Sequence, residues 1–134
     1  MMEVTRSRMS ATLPWLMVVY GAASLFHFVH NATYIQDYPN LPAWITPVVV
    51  YVSWCVIAAV GVAGYWLYRS VSRGLGLLVI AVYALFGFDG LGHYTLAPMG
   101  AHTVAMNASI LAEVVAAAVL LGYVAYSAVL SRGD

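Results

Sequence analysis

Charge is what this chain has least of. Its 134 residues include five lysine-or-arginine positions, all of them arginine, and five acidic ones, so 7% of the chain is charged. A soluble domain gives about a quarter of its residues to charge. Hydrophobic residues make up 63% and the mean hydropathy is +0.88, which places the chain among polytopic membrane proteins. The net charge of zero leaves no basic surface for nucleic acid, and no zinc-finger or RNA-binding pattern is present. The lone cysteine, Cys55, excludes an intrachain disulfide and reads as a small core residue. A Gly-rich phosphate loop, a Ser-His-Asp order with its elbow and a Cys-x-x-Cys pair are all missing. Soluble-type hydrolase and nucleotide chemistry are excluded with them.

Long apolar runs are what the chain does have. They predict an all-α, integral membrane four-helix bundle forming one domain over residues 1–134. The expected spans are about 14–31, 47–68, 75–94 and 102–130, behind a short polar tail at 1–12. Eighteen helical residues reach roughly 27 Å, just enough for a bilayer. The first run reads as a retained span rather than a cleaved signal, because it continues to a polar face at His27–Asn31. Pro39, Asn40 and Pro42 break the chain after span 1, and Thr46-Pro47 reads as an N-cap followed by a first-turn proline. Arg69–Gly74 and Thr95–Ala101 supply the other two breaks. Val19-Tyr20 precedes His30 by the interval at which Val82-Tyr83 precedes His93, and Gly64-Tyr65 with Tyr68 matches Gly122-Tyr123 with Tyr126. These matches suggest two tandem helical hairpins related by an axis along the membrane normal.

The arginines set the expected orientation. Arg6, Arg8, Arg69, Arg73 and Arg132 fall in the N-terminal tail, the 2–3 loop and the C-terminal tail. The positive-inside rule then puts both termini in the cytoplasm, with the plasma (inner) membrane as the expected location. The bilayer is the expected partner, with a larger membrane complex as a further one.

Ionisable groups inside the spans carry the functional reading. A carboxylate at membrane depth costs roughly 2.5–3.5 kcal/mol on insertion scales. Asp89 and His93 stand four apart and would share one face of an α-helix, with Gly90 and Gly92 leaving room beside them. Tyr20, Ser24, His27, Asn31 and Tyr34 form a stripe on span 1, with His30 on its flank. His102, Met106, Ser109 and Glu113 form another on span 4, where Glu113 lies roughly 16 Å deeper than His102. The up-and-down topology brings His27, His30, Asp89, His93 and His102 together in the outer third of the membrane.

Imidazoles with a carboxylate suit a transition metal such as Cu, Zn or Fe. The expected ligands are His27, His30, Asp89, His93 and His102, with Asn31, Met106 and Glu113 as secondary residues. Asp89-x3-His93 followed by His102 resembles the short copper-ligand motif in the membrane-embedded C subunit of copper methane and ammonia monooxygenases. The resemblance covers about fourteen residues, and the last histidine is closer here. It implies copper at these three side chains. Another reading gives His30 and His93 to the axial positions of a b-type haem in an electron-transfer protein. Further readings are a proton or small-solute path, and a small transport or structural subunit whose polar groups merely fix helix register.

Overall fold

The computed structural model describes residues 2–130, with side chains from residue 11 onward. Five helices are named here: α1 Met2–Thr33, α2 Pro47–Ser70, α3 Arg73–Leu85, α4 His93–Leu96 and α5 Val104–Leu130. A 3-10 segment, Phe86–Gly92, joins α3 to α4 without a break in direction, and shorter 3-10 turns occupy Ile35–Asp37 and Met99–Ala101. No strand occurs among the described residues. Four stretches are long and apolar enough to cross a membrane: Ala11–Thr33, Pro47–Ser70, Arg73–Leu96 and Val104–Leu130. The molecule is an integral, multi-pass membrane bundle.

Each boundary has a local cause. Thr46 caps α2 by accepting from the Val49 amide, with Pro47 in the first turn where its missing N–H is not needed. Ser72 caps α3 in the same way through the Leu75 amide, so this helix starts at Arg73 rather than at Leu75. The polar N-terminal segment is helical from Met2, not a separate tail, because neither glycine nor proline interrupts it before Pro14. Arg132 lies outside the described residues, as do the side chains of Arg6 and Arg8.

Consecutive helices pack side by side, and α5 closes the ring against α1. Leu13, Tyr20, Ile80, Ala84, Ala117 and Leu120 fill the core. At the arginine end α2 and α3 approach at backbone distance. A Cβ on Gly76 would stand 2.3 Å from the Tyr68 Cα, so only glycine fits there. Val18, Val48, Val62, Val119 and other large apolar residues are exposed, which is the face a bilayer covers. Cys55 is exposed with them rather than in the core, because it lies on the outward side of α2.

The connection from α1 to α2 folds back over the histidine end. Asn40 takes a left-handed φ of 57°, which asparagine tolerates better than most residues. Its side-chain amide donates to the Leu96 carbonyl at 2.9 Å, tying the connection to the end of α4. This places Tyr38, only 4% exposed, beneath the loop and against the histidines.

Candidate ligand site at the histidine end

The α1 stripe faces the interior as far as the helix lasts. Tyr20, Ser24, His27 and Asn31 are all buried, whereas Tyr34 is exposed because α1 has already ended at Thr33. His102, Met106, Ser109 and Glu113 are buried along α5 and the turn before it. His30 is half-buried on the flank of α1, and Met99 is exposed.

Asp89 and His93 both line one cleft, but the backbone between them is not α-helical. Phe86–Gly92 is wound as a 3-10 helix. Four residues then turn through about 480° instead of about 400°, so the two side chains diverge by about 120° rather than 40°. The tighter winding suits Phe86-Gly87-Phe88-Asp89-Gly90-Leu91-Gly92, whose glycines lower α-helix propensity and permit eclipsed positions. It also brings Gly87 so close to α1 and α5 that a Cβ would stand 2.4 Å from Ala117 Cβ and 2.6 Å from Tyr20 Cε2.

Hydrogen-bond partners orient the histidine rings. Ser109 Oγ stands 2.9 Å from the Met106 carbonyl and 3.2 Å from His27 Nδ1, so this hydroxyl holds the His27 ring in place. The Asn31 amide nitrogen donates to His93 Nε2 at 3.2 Å, which leaves the hydrogen of His93 on Nδ1. His102 Nδ1 donates to the Pro98 carbonyl at 3.1 Å. The three Nε2 atoms point to different places. That of His27 faces Glu113 Oε2 at 3.8 Å, that of His93 faces Asn31, and that of His102 is buried without a partner.

This divergence explains the absence of a convergent donor set. Among the described residues, no group of three or more His, Cys, Asp or Glu side chains is placed to hold a metal ion. The rings still touch: His27 and His93 lie 5.6 Å apart by centroids, and His93 and His102 lie 6.1 Å apart. Tyr38 stands among them. Its ring is 4.8 Å from that of His93 and its hydroxyl is 3.0 Å from His30 Nδ1. A porphyrin gripped by His30 and His93 would need Tyr38 to leave this position. Burial pushes the Tyr38 hydroxyl up to about 12, so it remains a neutral phenol at physiological pH. Nothing in the sequence of this loop marked Tyr38 as part of the centre beyond its being aromatic. Asn107 bridges α5 to the segment before it, accepting from the Tyr94 hydroxyl at 2.9 Å and donating to the Met99 carbonyl at 3.1 Å.

A cleft of about 300 Å³ opens beside this cluster, between α1, α2 and the α3–α4 span. Its polar end is formed by His27, Asn31, Asp89 and His93, and its walls by Phe28, Trp44, Ile45, Val49, Val50 and Leu96. Behind it lies Glu113, fully buried, with neither carboxyl oxygen hydrogen-bonded. Ser24 and Tyr20 flank it with their hydroxyls buried, Ser24 being a polar neighbour of both Glu113 and Tyr20. No family model, no curated protein and no solved structure matches the chain.

Proposed function

We propose that the protein binds a small amphipathic molecule within the membrane. The ligand's polar head lies among His27, Asn31, Asp89 and His93, and its apolar part lies along Phe28, Val49, Val50 and Leu96. The cleft carries this reading: an apolar concavity with a few convergent polar groups at one end is the usual form of a small-molecule site. The arginines support an orientation with the site toward the outer face of the plasma membrane and both termini in the cytoplasm. The test uses a dodecyl chain with a polar head and a diazirine at its tail, photolysed with the purified chain in nanodiscs. Labelling is expected at Val49 and Val50 in preference to Val56, which is exposed on the same helix. Equal labelling of all three would overturn the reading.

A transition metal ion, Cu, Zn or Fe, is the second reading. It is favoured by the buried, unpartnered Nε2 of His102 beside the His93 ring. His93, His102 and one or two ligands from outside the chain would complete such a site. Elemental analysis of the purified protein tests it: one equivalent of metal, lost in His102→Ala, is the expected result, and its absence from metal-supplemented protein removes the reading.

A further inference from the structure

The cleft and the connection between α1 and α2 share a boundary. Leu41, Pro42, Trp44 and Ile45 of that connection line the cleft on one side, and Thr95 and Leu96 of α4 line it on the other. A side-chain hydrogen bond joins the two sides: the Asn40 amide donates to the Leu96 carbonyl at 2.9 Å. The polar groups of the cleft lie deeper in the bundle. His27 is 2% exposed and Asn31 9%, and Asp89 and His93 precede Leu96 by seven and three residues along the same span.

The connection is fastened unevenly. Tyr38 anchors it, with its ring buried 4.8 Å from that of His93 and its hydroxyl 3.0 Å from His30 Nδ1. Beyond Tyr38 the hold is slight: no residue from Pro39 to Val49 is fully buried. The Ile45 amide donates to the Pro42 carbonyl at 2.9 Å, which keeps the stretch from Asn40 to Ile45 a compact turn that moves as one piece. A segment with few buried contacts opens at a small fraction of the cost of global unfolding. A polar head arriving from water is favoured on this side. The route through the bilayer runs past Phe28, Val49 and Val50, where a polar group finds no hydrogen-bonding side chain to replace its water.

We infer, resting on the cleft reading above, that the stretch from Asn40 to Ile45 is a lid over the cleft, latched by the Asn40–Leu96 bond. It swings about Pro39 and Thr46, parts from Leu96 to let the ligand's head reach His27, Asn31, Asp89 and His93, and closes over the bound molecule. Tyr38 stays in place and keeps the histidine end packed while the lid is open.

The experiment times photolabelling by dodecanol carrying a diazirine at its tail. The probe is mixed with the chain in nanodiscs and photolysed after increasing delays. Val56, exposed on α2, reports the arrival of probe in the bilayer, and Val49 and Val50 report the cleft. In a Cys55→Ser background, Asn40→Cys and Leu96→Cys are joined by a short bis-methanethiosulfonate linker, which a reductant removes. With the link in place, labelling at Val49 and Val50 should be lost over the time in which the reduced chain reaches its plateau, while labelling at Val56 is unchanged. Asn40→Gly keeps the left-handed φ of 57° but cannot make the bond. It should label Val49 and Val50 about two- to tenfold faster than the parent chain, the factor that one hydrogen bond is worth. If the linked and reduced chains label Val49 and Val50 at the same rate, or Asn40→Gly matches the parent chain, the ligand enters between the helices and the connection is not a lid. If the parent chain shows no preference for Val49 and Val50 over Val56 at any delay, the cleft reading itself fails.

Discussion

Replacing Tyr38 tests whether the connection between α1 and α2 is a structural plug or a passive link. The ring is 4% exposed and lies against His93, with centroids 4.8 Å apart, and against His102 at 6.4 Å. Its hydroxyl is 3.0 Å from His30 Nδ1 and also interacts with the Ser109 hydroxyl. Tyr38→Phe keeps the ring and removes the hydroxyl, at about 0.5–1.5 kcal/mol for each hydrogen bond lost. His30 is half-buried and can recover a solvent partner, which favours the lower end. Tyr38→Ala removes the ring as well. Truncating a buried aromatic costs about 3–5 kcal/mol, from lost contacts and the cavity left behind. The alanine chain should therefore lose several times as much stability as the phenylalanine chain. Equilibrium unfolding in mixed micelles, followed by circular dichroism, measures both. If Tyr38→Ala unfolds at the same detergent fraction as the parent chain, the loop does not hold the histidine end closed.

Asn40→Ala should cost about 2 kcal/mol, by forcing a Cβ-bearing residue to keep a φ of 57° and by deleting the bond to the Leu96 carbonyl. Asn40→Gly should cost about half as much in the same unfolding assay, since glycine keeps the conformation and loses only the bond. Gly76→Ala drives a Cβ to 2.3 Å from the Tyr68 Cα and should destabilise by about 1–3 kcal/mol or more, whereas Gly74→Ala, with nothing nearby, should be nearly silent. In a Cys55→Ser background, a cysteine at Asn40 should react with an impermeant thiol reagent in intact cells and one at Arg73 should not; the reverse pattern would invert the proposed orientation.

Periodicity made the helical scaffold legible because burial inside a helix repeats with the helix. Tyr20, Ser24, His27 and Asn31 fall on one buried line for that reason, as do Met106, Ser109 and Glu113. The reading failed where the backbone left the α-helical period. Tyr34 was carried one turn too far because the helix ends at Thr33. Asp89 and His93 do line one cleft, but nothing in their four-residue spacing announces the 3-10 winding between them; the glycines around them were the available signal. Tyr38 was invisible as a site residue because its burial comes from a loop folding over the bundle, which depends on tertiary contacts such as Asn40 to Leu96. Cys55 went the other way. An apolar run in a membrane helix reads the same toward lipid as toward core, so its outward position carried no mark. Four histidines and Asp89 could be assigned to one region, with Glu113 deeper, but not the directions in which the ring nitrogens point. Those follow from Ser109, Asn31 and Pro98, residues that bear no charge and stand out in no pattern.

Native mass spectrometry of the purified chain with dodecanol, compared with Ser53→Phe, bears most directly on the central claim. Ser53 lines the cleft at an exposed position, so a phenyl ring there fills the cavity without crowding the core. One amphiphile retained per parent chain and none per Ser53→Phe chain is the predicted result. Equal retention by both chains, or no retention by either, would contradict a ligand site in this cleft.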